Sequence, residues 1–203
     1  LKGAPVILAR TLFTLSMLLV LGVVCAAQES QPTPEPEEFP TKLEKLLEKA
    51  GAVVVKGTTG VGSVSGLRGT AFVTSWEILD ARSGRREYGI SIEIRESAQA
   101  ERERERGDVA YVDYDELDPL INGLDHLLKL DNTATKLSTF EAQYRTNGYL
   151  SVFRFNTTGG YGTAVSAGGR RGTRLILRPT GLVEFRDMLK SAKAVIDEAR
   201  QKQ

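Results

Sequence analysis

Polar and apolar side chains alternate along the second quarter of the chain. In residues 88–95, tyrosine and isoleucine take every second position, which predicts a half-buried β-strand. Residues 70–80 carry apolar side chains in both registers and predict a strand covered on both faces. Residues 81–86, which contain Ser83-Gly84, predict a hairpin turn between the two. Residues 109–113 predict a further strand.

The apolar spacing is helical in three places. Thr41 and Glu44 have the spacing of a capping box, which predicts a short amphipathic helix in residues 41–51 that ends at Gly51. A leucine-rich stripe over residues 117–128 predicts a second helix, and Pro119 is expected in its first turn, so that the helix begins near residue 115 or 118. Thr180 begins a long final helix.

The second half of the chain repeats this order. Residues 137–145, 149–156, 161–167 and 173–177 predict four strands, separated by glycine-containing turns. We therefore expect an α+β fold: two successive units of four strands and one helix, at residues 52–131 and 137–203. The sheets are expected to be antiparallel, with helices packed on one face, in a single domain of residues 41–203.

The repeated order of four strands and one helix, over residues 53–202, resembles the architecture of the PUR and Whirly single-stranded nucleic-acid-binding proteins. The resemblance concerns the order of elements alone. It implies a repeated antiparallel-sheet fold and carries over no functional residues, because no sequence motif of either family is present.

The N-terminus has the pattern of an export signal. Lys2 and Arg10 precede an uncharged apolar run over residues 12–27 that ends in small side chains. This predicts a cleaved signal peptide at residues 1–27 and a periplasmic or extracellular protein that starts at Ala27 or Gln28, without stable membrane insertion. Two alternatives stay open: an uncleaved anchor, since the run approaches the roughly 17 residues that span a bilayer, and lipidation at Cys25.

Composition limits the chemistry of the exported chain. Residues 28–40 are rich in proline and glutamate and predict a solvated linker. Cys25 is the only cysteine, so a chain cleaved after it has neither a disulfide nor a thiol nucleophile. Removing two of the 27 basic side chains leaves 25 against 26 acidic ones, so net charge does not drive binding to a polyanion.

Acidic residues gather where the fourth strand meets its helix. The sole histidine, His126, leaves no His-based triad or zinc site, and no metal or cofactor is expected. Carboxylates at a helix start are favourable without any ligand, and the spacing does not match a calcium loop. An alternative is a glycan hydrolase that uses two acids among Asp108, Asp113, Asp115 and Glu116. The whole cluster consists of Asp108, Asp113, Asp115, Glu116 and Asp118.

Two further stretches have simple explanations. Residues 57–63 are rich in glycine but lack the lysine of a phosphate-binding loop, so we expect a flexible connection between two strands. Residues 101–106 alternate glutamate and arginine, which predicts a solvated hairpin tip.

Charge differs between the two halves. Residues 70–118 hold 13 acidic and 7 basic side chains, whereas residues 138–178 hold 6 arginines and one acid, Glu141. Arginines beside aromatic rings suit phosphate, carboxylate or stacked-ring ligands, although a solvated sheet face gives the same pattern. The candidate ligand-binding residues are Arg145, Arg154, Arg170, Arg171, Arg174, Arg178, Tyr144, Tyr149 and Tyr161.

These observations favour an exported, non-catalytic binding or interaction module of unknown ligand, with an acidic ligand or a protein partner as candidates. The first alternative is the carboxylate-dependent glycan hydrolase, which a buried acid facing a cleft would favour. The second is a binder of polyanions or single-stranded nucleic acid through the basic second sheet. A third is a homo-oligomer in which the acidic half of one copy contacts the basic half of another.

Overall fold

The computed structural model describes residues 41–97 and 107–202. The predicted export signal, the linker and the predicted hairpin tip lie outside the described residues. Within these ranges the elements follow one another in the order α1 (Lys42–Leu47), β1 (Val54–Ser65), β2 (Gly69–Asp80), β3 (Arg86–Glu96), β4 (Gly107–Asp113), α2 (Tyr114–Lys129), β5 (Glu141–Arg145), β6 (Ser151–Thr157), β7 (Gly160–Ser166), β8 (Arg174–Ile176) and α3 (Gly181–Gln201).

The strands form two antiparallel sheets. Sheet 1 has the order β1-β2-β3-β4 and sheet 2 the order β5-β6-β7-β8. This confirms the α+β fold with two successive units of four strands and a helix. A bridge between Gly66 and Leu177 joins the sheets, and the Leu67 amide donates to the Ile176 carbonyl at 2.9 Å.

Each of the two long helices contacts the sheet of the other unit. Helix α3 follows sheet 2 in the chain but packs mainly on β1 and β2, whereas α2 contacts β3 and β4 of sheet 1 as well as β5 and β6 of sheet 2. Ile92, Leu124, Val165 and Phe185 therefore belong to one buried cluster that both units build. This core takes up the inner faces of both sheets, so the outer faces lie on the sides away from it.

Helix α1 covers one end of the outer face of sheet 1. Leu43 and Leu46 are buried against Ile78, and the half-buried Trp76 packs beside them. The indole N–H of Trp76 donates to the Ser91 hydroxyl at 2.8 Å. This explains why β2 is apolar in both registers: α3 covers its inner face and α1 covers the outer face at this end.

One loop prediction is wrong. Residues 57–63 lie inside β1, which pairs continuously with β2 from Val54 to Ser65 apart from a bulge between Gly60 and Gly62. Glycine is unfavourable in strands, but the long ladder to β2 satisfies the backbone there, so the segment is extended.

The helix ends also differ from the prediction. Helix α1 ends at Leu47, before Gly51, and α2 begins at Tyr114, so Pro119 lies in the second turn and not in the first. The helix loses the hydrogen bond that an N–H at this position would give to the Asp115 carbonyl, in the exposed first turn. No helix in the described part of the chain is long and apolar enough to cross a membrane.

Candidate functional site

The outer face of sheet 2 carries a row of polar residues. Arg145 on β5 pairs with Ser151 on β6, Ser151 with Ser166 on β7, and Ser166 with Arg174 on β8. Residues directly opposite one another in antiparallel strands project from the same face. Tyr144, the neighbour of Arg145, projects to the inner face and packs against Gly123 of α2. The arginine row therefore lies on the side of sheet 2 opposite to α2.

Aromatic rings support Arg174 on this face. Its guanidinium carbon lies 4.1 Å from the centre of the Phe153 ring and 5.7 Å from that of Phe155. Phe155 in turn lies over Gly162, where a Cβ atom would come within 2.3 Å of the ring. An exposed ion pair with Glu141, 3.1 Å long, completes the surroundings of Arg174, whose side chain is 40% exposed. The Phe153 ring is thus within cation–π distance of a guanidinium that remains partly exposed to solvent.

Arg145 is supported in the same way by Tyr149. Its guanidinium carbon lies 5.0 Å from the centre of the tyrosine ring, and Tyr149 is 43% exposed. The backbone of Tyr149 has a φ of 62°, which few residues other than glycine adopt and which is often found at functional sites. The Tyr149 ring also lies 3.8 Å from the position of a Cβ atom on Gly169. The β5–β6 turn and the β7–β8 turn therefore meet.

Both turns are fixed by residues of the first unit. Gly148 packs so closely on β4 that a Cβ atom would lie 1.8 Å from a main-chain carbonyl oxygen. The neighbouring Asn147 amide donates to Glu116 at 3.0 Å. On the other turn, Thr173 donates to Asp108 from its amide at 2.7 Å and from its hydroxyl at 2.6 Å. The acidic half of the chain thus anchors the turns that bear the arginines.

The β7–β8 turn borders a depression of about 450 Å³. Its lining consists of Glu96, Gly107, Asp108, Arg171, Gly172, Thr173 and Arg174. Among the described residues, neither Arg145 nor Arg171 has a carboxylate partner within ion-pair distance. We call Arg145, Tyr149, Arg171 and Arg174 the arginine surface.

The other predicted site residues lie elsewhere. Arg154 is on the inner face, where it stacks at 4.5 Å on Tyr161 and its Nε donates at 3.1 Å to the carbonyl that ends α2. Tyr144 lies under α2. Arg178 follows β8 at the end of the sheet away from the arginine surface. The side chain of Arg170 is outside the described residues. The structure brings together four of the nine predicted residues.

Three members of the acidic cluster make separate structural contacts. Asp113, 6% exposed, accepts hydrogen bonds from the amides of Lys42 at 2.8 Å and Leu43 at 3.2 Å. Burial raises the pKa of Asp113 above its usual value despite these bonds. Asp115 pairs with the Lys42 ammonium at 2.8 Å, which lowers the pKa of Asp115. Asp118 lies 3.7 Å from the Lys193 ammonium.

Glu116 is the member of the cluster with a free buried atom. Its Oε1 accepts from the Asn147 amide, while Oε2 is buried without a hydrogen-bond partner among the described residues. Burial raises the pKa of Glu116. Its Oε1 accepts from the main chain of the β5–β6 turn and thereby holds this turn in place. His126 is exposed in the last turn of α2.

The sequence reasoning missed the serines of the row and the role of Phe155. Ser151 and Ser166 are short, common residues, and only the strand register places them between Arg145 and Arg174. Residues two apart on a strand share a face, so the strand pattern places Phe155 on the same face of β6 as Phe153.

Comparison with known proteins does not identify the chain. No protein-family model matches it, and neither a curated protein nor a solved structure matches it. Function is therefore argued from the site alone.

Proposed function

We propose that the chain is a non-catalytic binding module that holds an anionic ligand on the arginine surface of sheet 2. One observation carries the proposal. Arg145 and Arg171, which lack a carboxylate partner among the described residues, lie with Arg174 at one end of sheet 2. Aromatic rings contact the guanidinium groups of Arg145 and Arg174, so less side-chain entropy is lost when their N–H groups bind a carboxylate or phosphate.

The spacing of the arginines favours an extended ligand. Arg145 and Arg174 lie on the two edge strands of sheet 2, three strand spacings apart, which is roughly 14 Å. A single phosphate or carboxylate is too small to contact both side chains. The ligand is therefore a chain with several negative groups, and the predicted export of the protein favours an acidic glycan over intracellular nucleic acid.

The carboxylates support binding without hydrolysis. A glycosidase needs two acids that face each other across the substrate. Here Asp113 accepts from the amides that start α1, and Asp108 and Glu116 accept from the turns below the arginine surface. Their contacts explain the acidic cluster as a set of structural anchors.

A heparin column tests the proposal, because heparin is an acidic glycan. The parent protein is expected to bind at low salt and to elute as salt rises, since displaced counterions dominate such binding. A triple variant with Arg145→Ala, Arg171→Ala and Arg174→Ala is expected to elute at clearly lower salt. The matched control combines Arg82→Ala, Arg178→Ala and Lys190→Ala, which removes the same charge from exposed positions outside the arginine surface.

Two results would overturn the proposal. Elution of the parent protein in the void volume at low salt would show that it does not bind a polyanion. An equal loss of retention in both triple variants would show that net charge, and not the arginine surface, holds the protein on the column. Circular dichroism of the variants serves as the folding control, because exposed charges contribute little to stability.

A further inference from the structure

Strand β1 presents a long free edge. It is the outermost strand of sheet 1, spans 12 residues and, among the described residues, pairs on one side only, with β2. Val53 is 70% and Val55 is 52% exposed. Lys56 is the only charged residue in positions 53–67. Proteins usually protect exposed edges with several charges or a short strand, because an open edge pairs with other chains.

Two of the other three sheet edges contact further parts of the described chain, and the third is short. The edge of β4 contacts the β5–β6 turn at Gly148 and the β7–β8 turn through Asp108. The edge of β8 accepts the Leu67 amide. Strand β5 spans only five residues. In the described part of the chain, β1 is therefore the long edge whose backbone groups remain unpaired.

The hydrogen-bond pattern shows which groups of β1 point outwards. The Val53 carbonyl accepts from the Ala81 amide at 2.9 Å, so Val53 faces β2. In an antiparallel ladder the backbone groups of alternate residues point to opposite sides. The N–H and C=O groups of Val54, Lys56, Thr58 and Gly60 thus point to the free edge, and this regular stretch ends at the bulge after Gly60.

We infer that two copies of this chain form a dimer in which their β1 strands pair antiparallel around a twofold axis at Gly57. In this register Val54 lies opposite Gly60 of the partner subunit, and Lys56 lies opposite Thr58 of the partner subunit. All outward groups between Val54 and the bulge then take part in a continuous ladder that joins both copies of sheet 1.

The neighbouring symmetric registers are worse. An axis at Lys56 places the two lysines directly opposite each other, and like charges in that position are destabilising. An axis at Thr58 extends the pairing across the bulge, where the ladder is irregular. With the axis at Gly57, Val55 lies opposite Thr59 of the partner subunit, which is a favourable pair of β-branched residues and covers exposed Val55.

Charge changes at position 58 test both the dimer and its register. Thr58→Glu places a carboxylate opposite Lys56 of the partner subunit, and the twofold axis repeats this pair once more in the dimer. Thr58→Lys places two lysines opposite each other at the same two points. From cross-strand pair energies we expect the dimer dissociation constant to fall about threefold to tenfold in the first variant and to rise by about as much in the second. Sedimentation equilibrium of the purified protein measures this constant.

The controls separate pairing from net charge. Thr158→Glu and Thr158→Lys make the same charge changes in an exposed turn of sheet 2 and are expected to leave the dissociation constant unchanged. Adding Lys56→Glu to Thr58→Lys restores opposite charges and is expected to restore the dimer. Thermal melting checks the fold, since the backbone groups of Thr58 face away from β2.

Two outcomes would overturn the inference. A parent protein that sediments as a monomer over the whole accessible concentration range has no such dimer. If Thr58→Glu and Thr58→Lys both raise the dimer dissociation constant, position 58 lies opposite itself in the dimer. That result would refute the axis at Gly57. Neither result bears on heparin binding, because the arginine surface lies on sheet 2.

Discussion

Asp113→Ala is expected to release α1 from sheet 1 while the rest of the domain stays folded. Asp113 is the final residue of β4, and its carboxylate accepts from the first amides of α1, those of Lys42 and Leu43. The helix has only six residues and buries two leucine side chains, Leu43 and Leu46. It is therefore the least secured element of the described chain.

The energies involved are nearly balanced. Burial of the two leucines contributes about 3 to 6 kcal/mol, and two hydrogen bonds to a charged acceptor contribute about 3 to 6 kcal/mol more. Ordering six residues costs about 6 to 12 kcal/mol in backbone entropy. Loss of the Asp113 carboxylate removes about half of the favourable side, so the docked helix becomes unstable although the main core is untouched.

Trp76 reports the release directly. It is the only tryptophan in the chain and packs in the cluster that Leu43, Leu46 and Ile78 form beneath α1. Release of α1 exposes its ring, so the fluorescence emission of the native variant is expected to shift to longer wavelength while the far-ultraviolet circular dichroism changes little.

Asp113→Asn is the matched control. The two oxygens of Asp113 each accept from a different α1 amide, so asparagine keeps one of the two hydrogen bonds. It also removes a charge that burial disfavours, as the raised pKa of Asp113 shows. A shift smaller than that of Asp113→Ala is therefore expected for this variant. An unshifted spectrum of Asp113→Ala, with unchanged stability, would refute the role of Asp113 in holding α1.

Two further predictions concern acid stability and export. Asp80 accepts from the Lys49 ammonium at 2.7 Å and from the Arg82 amide at 3.0 Å, and the Lys49 bond is the main reason that the pKa of Asp80 lies far below its usual value. Its contribution to stability is complete above the unfolded pKa of about 3.9 and is lost as the pH falls towards the folded pKa. Denaturant titrations from pH 5 downwards are therefore expected to show a steeper loss of stability in the parent than in Asp80→Asn, and equal slopes would contradict the assignment. N-terminal sequencing of the exported protein is expected to begin at Ala27 or Gln28; a chain that retains Arg10 would instead be anchored.

The sequence predicted strands well where one face is buried. Ile90, Ile92 and Ile94 alternate along β3 and all three are fully buried, because each projects to the core between sheet 1 and the helices. Strand β1 gave no such signal, since most of its residues are exposed on both faces. Its extended conformation comes from the ladder to β2, and no local pattern records that pairing.

The site was predictable in composition but not in arrangement. The excess of arginine marked the right half of the chain. Alternate residues of a strand project from opposite faces, and Arg154 shares its face with the buried Val152. Arg154 therefore lies on the face opposite to Arg145 and Arg174. The charged end of Arg154 nonetheless reaches a carbonyl at the end of α2 and the Tyr161 ring. Those partners lie on other elements, so their positions require the tertiary fold.

The unequal charges of the two halves follow from how the turns are held. Asp108 and Glu116 accept from amides of the turns of sheet 2, 65 and 31 residues further along the chain. These hydrogen bonds hold Asp108 and Glu116 on the turns, and neither carboxylate forms an ion pair with Arg145 or Arg171. These two carboxylates of the first half therefore position the two turns of sheet 2. Arg145 and Arg171 on those turns stay without a carboxylate partner among the described residues, and the charge of the second half is directed outwards.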